Sequence, residues 1–417
     1  MLITSTQSTT SDLLTTAEVA RRLGVKPQTI YAYVSRGLLR PDAASSHRHS
    51  LFARDEVERA AARARHPSRS AALEVVIETQ LTALDPDGRL HYRGRDVIEL
   101  ARFRSFEEVA GLLWDSDACA PWELDADDRQ LIERLAAVMP ATASGIDLIP
   151  VAVAALGAAD QQRGDRRHEA VCRAGTRMLA GALDLLATEG DPNRHAAAGG
   201  AAAHDPSAAS RLWRGLRSDA RRPRPAQLAA LNAALVLLAD HELAASTLAA
   251  RVAASAWADP YRVVLAGLGP LGGSLHGGAS LAVESMLSAA ASPAGAFAAV
   301  DQRLAAGLVP GFGHRVYRRS DPRAEHLLER LRSVSDDEQA LLTVDATLEA
   351  AASLGLPAPN VDFGLAALGQ VMGLRPGSAS TVFTVARIVG LVAHALEEYP
   401  YRLRFRPRAT YTGPAPR

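Results

Sequence analysis

The chain has 417 residues, too many for one small core, and 48% of them are apolar, enough to fill two or three domain interiors. Its formal net charge is zero, so no strongly acidic or basic partner is implied for the protein as a whole. Two cysteines, Cys119 and Cys172, with no Cys-x-x-Cys and no pairing with histidine, argue against a disulfide scaffold and a metal centre and point to a reducing compartment.

Residues 1–12 are polar and lack the basic start and apolar run of a secretory signal. Apolar runs such as 233–239 stop at Asp240, far short of a membrane span, so a soluble, cytoplasmic protein without a membrane partner is expected. Thr15-Thr16-Ala17-Glu18 has the form of a capping box, and Val19 and Leu23 share the face of the helix that it opens. Gly24 ends that helix, Pro27 suits the first turn of a second, and Ile30 and Val34 point inward at i, i+4. Helix, glycine turn and helix form a helix-turn-helix pattern. The segments Gly37-Leu38-Leu39-Arg40-Pro41 and Leu51-Phe52-Ala53-Arg54-Asp55-Glu56-Val57 resemble the wing and third helix of MerR-type or excisionase-type modules. Residues 1–70, read as this small winged module, hold 11 Lys/Arg against 6 Asp/Glu, about +5. If the module meets nucleic acid, Gln28, Thr29, Tyr31 and Tyr33 would face a major groove, with Arg36 and Arg48 on phosphates. A charge of +5 is modest, and packing against the rest of the protein is the alternative that it favours.

From Leu73 the text changes. The stretches 78–82 and 89–97 look like a short strand pair known from a family named below, and Phe106-Glu107-Glu108-Val109-Ala110-Gly111-Leu112-Leu113 begins a run of helical periodicity that continues nearly to the end. The fold class expected is all-α. Residues 187–226, rich in Gly, Pro, Ala, Asp and Arg, read as a long surface loop or insertion.

The chemistry is concentrated in a few short segments. Residues 311–323 read Gly-Phe-Gly-His-Arg-Val-Tyr-Arg-Arg-Ser-Asp-Pro-Arg, placing His314 after two glycines that permit close backbone approach, and Arg323 as a fork suited to a carboxylate. His241 lies in Ala-Asp-His-Glu-Leu, His276 in Gly-Ser-Leu-His-Gly-Gly-Ala, and Asp362 in Asn-Val-Asp-Phe. With Arg387 in Val-Ala-Arg-Ile-Val-Gly and Arg406 in Phe-Arg-Pro-Arg, these segments resemble the citrate synthase family over roughly 73–417, most strongly beyond residue 236.

The resemblance implies a two-domain helical body. A large domain would comprise 71–267 and 376–417, and a small domain 268–375 would carry His276, His314 and Asp362. It also implies a condensation of acetyl-CoA with oxaloacetate to citrate and CoA. CoA enters as a substrate, and no other cofactor is called for. A carboxylate titrates near pKa 4, so it can deprotonate a thioester methyl group only if the developing enolate oxygen is stabilised at the same moment. By resemblance Asp362 is that base, His276 the donor to the thioester oxygen and His314 the donor to the ketone of oxaloacetate. His241, Arg323, Arg387 and Arg406 would hold oxaloacetate, Arg406 reaching across a homodimer. Departures from the family pattern include Ala244 and Ser280 where Asn is usual, Ser274 for Pro, and Gly364-Leu365 for Tyr-Ser-Gly. They surround the substrate, and propionyl-CoA, giving 2-methylcitrate, is the alternative acyl donor. A DNA-binding, metabolite-sensing regulator built on the same body is a second alternative, motivated by the N-terminal fusion.

Overall fold

The computed structural model describes residues 13–23, 25, 30, 34, 42, 50–54, 57, 76–85, 88–116, 122–188, 205–273 and 276–407. The chain divides into two units, Met1–Glu78 and Thr79–Arg417.

In the first unit, strand β1 (Leu13–Thr15) pairs antiparallel with β2 (Leu51–Ala53), Leu14 opposite Phe52. Helix α1 (Thr16–Leu23) starts at the predicted capping box. The Thr15 amide and hydroxyl each donate to Glu18, and the Glu18 amide returns to Thr15 Oγ1. Leu14, Val19, Ala20, Ile30, Phe52 and Val57 form a separate small core. The postulated wing at 37–41 and the groove-facing Gln28, Thr29, Tyr31, Tyr33, Arg36 and Arg48 lie outside the described residues.

The second unit opens with an antiparallel sheet, β3 (Thr82–Leu84), β4 (Leu90–Tyr92) and β5 (Arg95–Asp96), one strand more than the predicted pair. Asp96 caps α2 (Val97–Phe103), and Ser105 with Glu108 forms a capping box on α3 (Phe106–Trp114). Helices α4 (Ala126–Val138), α5 (Gly145–Ala159) and α6 (His168–Ala187) follow. The stretch read as loop then contains α7 (Ala208–Leu216), capped by Ser207 and burying Leu212, Trp213 and Leu216. Its polar composition concealed a helix whose Arg211 is buried with the Trp122 and Ala180 carbonyls and Asp184 as acceptors.

Next come α8 (Pro225–Leu238), α9 (Ala245–Ser255), α10 (Pro260–Leu271), α11 (Ala279–Ala290) and α12 (Ala296–Ala305). The series ends with α13 (Pro322–Leu328), α14 (Leu331–Val334), α15 (Glu338–Ser353), α16 (Val361–Val371) and α17 (Ser378–Glu398). Among the described residues α17 alone is long and apolar enough to cross a membrane, yet its most apolar stretch is 94% buried. It is the central core helix, packed against α3, α5, α6, α8, α9 and α10. Gly390 lets the end of α8 press onto it: a Cβ there would lie 2.4 Å from the Ala239 carbonyl oxygen, to which the Gly390 amide donates at 3.0 Å.

A buried charged network lies beside this contact. Arg251 donates to Glu398 (2.9 Å), Glu397 (2.6 Å) and Nδ1 of His394 (2.7 Å). A guanidinium can only donate, so His394 Nδ1 accepts and its Nε2–H faces Asp240 at 3.3 Å. Glu397 also accepts from the Thr79 hydroxyl and the Gln80 amide, while Glu398 accepts both donors of Arg404.

Candidate active site

The small sheet and the end of α8 fix the first site residue. The Tyr92 hydroxyl donates to the Asp240 carbonyl (2.8 Å) and accepts the Asp240 amide (3.0 Å), and Thr82 donates to the Asp240 carboxylate. With Asp240 held, the chain turns through Glu242 at φ 51 and presents His241. Its Nε2 meets the Tyr317 hydroxyl at 3.0 Å.

Tyr317 belongs to the glycine-rich loop. Gly311, at φ 85, stands where a Cβ would press on Phe363 and Val283. The loop is laced to the segment leading into α16: the Asn360 amide donates to the Gly311 carbonyl (2.9 Å), the Gly313 amide to that of Ala358 (2.8 Å), and Asn360 Nδ2 to that of Gly313 (2.9 Å). In the same loop His314 Nδ1 accepts the amides of Val316 (3.1 Å) and Tyr317 (3.3 Å). An imidazole nitrogen that accepts is unprotonated, so the proton sits on Nε2 and that edge is the donor. The rings of His241, His314 and Tyr317 form a cluster with centroids 4.8–5.6 Å apart.

Arg323 closes this cluster from α13. It is buried, its guanidinium carbon 5.2 Å from the Tyr317 ring centre, and its Nε and Nη2 grip Asp321 at 2.9 and 2.8 Å. Asp321 also caps α13 and accepts the amide of Val361 (3.0 Å), joining the arginine to the start of α16. There Asn360 caps the helix by accepting the Asp362 and Phe363 amides, which places Asp362 in the first turn. The Ser280 hydroxyl donates to Asp362 Oδ1 at 2.5 Å. Burial pushes the Asp362 carboxyl above its ordinary range, opposed by Ser280 and Arg323.

His276 stands in the turn before α11, and its Nε2 is 2.9 Å from the hydroxyl of Ser246 on α9. Phe383 of α17 sits between it and Arg387, 5.9 Å from the imidazole centre and 5.0 Å from the guanidinium carbon. Burial, then the charge of Arg387, lowers His276 to about 4. Burial also holds His241 and His314 below the usual imidazole range, with Arg323 the next cause for each. All three rings are therefore neutral at neutral pH. Arg387 is 1% exposed, its Nη1 is 3.9 Å from Asp240, and its Nε and Nη1 make no hydrogen bond.

Six of the seven residues selected from sequence thus join through shared contacts: His241, His276, His314, Arg323, Asp362 and Arg387. The seventh, Arg406, is exposed near the end of the described chain. Sequence reading assigned no part to Tyr317, Asp321, Ser246, Phe383 or Asp240, and took Ser280 only as a departure. Tyr317 and Asp321 lie inside the motif of His314 and Arg323. Ser246 carries no local signal, since His276 stands 30 positions away, and Phe383, although one turn from Arg387, meets His276 from more than 100 positions away.

Residues 72–408 match the citrate synthase C-terminal-domain family, and residues 13–65 match a helix-turn-helix domain. The chain is 32% identical to citrate synthase 2 of Bacillus subtilis, covering 82% of this chain and 94% of the relative. It is also 32% identical to a 2-methylcitrate synthase of Mycobacterium tuberculosis, covering 81% and 88%. Among solved structures, citrate synthase from Thermotoga maritima is similar, with TM-score 0.66, 27% identity, and coverage of 83% of this chain and 96% of that one. So is the Thermoplasma acidophilum enzyme in ternary complex with carboxymethyl coenzyme A and oxaloacetate, with TM-score 0.65, 26% identity, and coverage of 84% and 96%. With a helical fold, a match over most of its length and relatives of this identity, the chain belongs to the citrate synthase family, as a citrate synthase-type enzyme carrying an N-terminal helix-turn-helix module.

Proposed function

We propose that this enzyme condenses acetyl-CoA with oxaloacetate to give citrate and free CoA. The observation that carries the reading is the pairing of His314, whose protonated Nε2 is fixed by two backbone amides, with the buried guanidinium of Arg323 in one ring cluster. A neutral donor beside buried arginines suits a ketone flanked by carboxylates. Arg387 adds unpaired N–H groups for one of those carboxylates, and His241 a further contact.

In this mechanism Asp362 takes a proton from the thioester methyl group while His276, neutral, donates to the thioester oxygen. The Ser246 hydroxyl, 2.9 Å from Nε2 of His276, acts in this mechanism as donor to it, which leaves the proton on Nδ1 for that task. The enol carbon attacks the ketone carbon of oxaloacetate, and the new alkoxide takes its proton from His314 Nε2. Water then cleaves the citryl thioester, releasing CoA as its thiol, while the proton on Asp362 passes through water to restore His314. No metal or redox step enters the sequence, and the CoA thioester is a substrate. We place the two substrates between a small domain, 268–375, and a large one, 71–267 with 376–417. Closure would exclude water from the enol step. Arg406 we assign to the second subunit's oxaloacetate in a homodimer, since it joins no contact of the cluster within one chain.

Propionyl-CoA is the second reading, favoured by the equal identity to the mycobacterial 2-methylcitrate synthase. The test is release of free thiol with oxaloacetate and either acyl-CoA. Faster turnover of acetyl-CoA at equal concentration is expected. A preference for propionyl-CoA makes the enzyme a 2-methylcitrate synthase, and no release with either leaves the regulatory reading.

A further inference from the structure

The turn before α11 carries His276, and four residues on, inside the first turn of the same helix, stands Ser280. Ser280 is fully buried, and its hydroxyl hydrogen bond ends on Asp362 Oδ1, 82 positions away on α16. The remaining groups around Asp362 act differently. Asn360 meets Asp362 at its backbone amide and not at its carboxylate, while Arg323 of α13 and the cap of that helix, Asp321, act on it through charge with opposite signs. Among the described residues, no other side chain hydrogen-bonds the Asp362 carboxylate.

We infer that Ser280 is a positioning residue, a strut that sets the Asp362 carboxylate relative to His276. The inference rests on the roles proposed above for those two residues. Deprotonating the methyl group and stabilising the enolate oxygen belong to one transition state, so base and donor must be held in mutual register. Here one short segment, 276–280, delivers the donor and holds the base. The hydrogen bond occupies Oδ1 and leaves Oδ2 to meet the proton. It also favours the ionised carboxylate against the burial that opposes it.

Ser280→Ala removes the strut with the loss of a single oxygen. Its kcat should fall about tenfold or more while the KM for oxaloacetate stays within about twofold. The acid limb of the kcat–pH profile should move up by about one pH unit, because the lost donor had favoured the charged base. Ser280→Thr keeps the hydroxyl and should restore both. Wild-type kcat and pH profile in Ser280→Ala, or equal impairment in Ser280→Ala and Ser280→Thr, would overturn the inference. A thermal double-mutant cycle with Asp362→Ala reads the same contact without turnover. Ser280→Ala should lower the melting midpoint by roughly 2 °C or more in the wild-type background and have almost no effect beside Asp362→Ala. Additive shifts would equally overturn it. If the wild type releases thiol from neither acyl-CoA, the proposed reaction fails, and the cycle still decides whether Ser280 holds Asp362.

Discussion

Arg387 stops 3.9 Å short of Asp240, while Arg323 grips Asp321 with two hydrogen bonds at 2.8 and 2.9 Å. Both guanidiniums are buried, but only one has its carboxylate in hand. Arg387 is the less satisfied, and burial correspondingly lowers its pKa. An incoming dicarboxylate gains more from a guanidinium whose donors are unengaged.

The two arginines should therefore fail in different ways. Arg387→Leu removes an under-satisfied buried charge, so the melting midpoint should hold or rise. The KM for oxaloacetate should increase about 10- to 100-fold, in line with about 1.5–3 kcal/mol for a charged hydrogen bond. Arg323→Leu strands Asp321 and should cost about 3–5 kcal/mol of stability besides weakening oxaloacetate. Thermal melts with and without oxaloacetate check both, and equal destabilisation by the two variants would contradict the distinction.

Asp362→Asn should lower kcat by orders of magnitude with little change in oxaloacetate KM. The pH profile has a definite sign. A base with a raised pKa is protonated and inactive at low pH, and activity should grow as pH rises through a value above the ordinary carboxylate range. His276, at about 4, is already neutral there and should add no limb of its own between pH 6 and 8. Initial rates across pH, at saturating substrate, test this.

Arg406→Leu should weaken oxaloacetate strongly if the residue serves a neighbouring subunit. Mixing this variant with Asp362→Asn should then rebuild one intact site per hybrid dimer and recover part of the activity. Verified heterodimers without recovery would show that each site is built within one chain.

A chain beginning near Arg69 should stay soluble and keep its condensation activity, since the helix-turn-helix unit has a core of its own. Turnover of the shortened chain is one half of the test. Retention of the full chain on DNA at low and moderate salt is the other, with weak, salt-sensitive retention expected at most from a unit of about +5. An inactive, well-folded shortened chain would mean that the module completes the site, and tight, sequence-selective binding would favour a regulator.

The residues that gather at the candidate site were legible in the sequence because each sits in a short segment whose turns and caps are local. Gly311, Asn360 and Pro322 announce backbone that must bend or begin a helix beside His314, Asp362 and Arg323. The supports were not legible, because a strut such as Ser280 becomes one only when α11 lies beside α16. Composition misled at Ala208–Leu216 for a related reason. Arg211 looks like a surface residue until the carbonyls of Trp122 and Ala180 are brought to it from elsewhere in the chain.

Thr79 and Gln80, where the catalytic body begins, are bonded to Glu397, and Arg404, near its other end, to the adjoining Glu398. Both strands leaving the body are thus moored to a single turn of one helix. Strain on the segment that enters this unit at Thr79 would be borne at that mooring before it reached Thr82, whose hydroxyl holds Asp240.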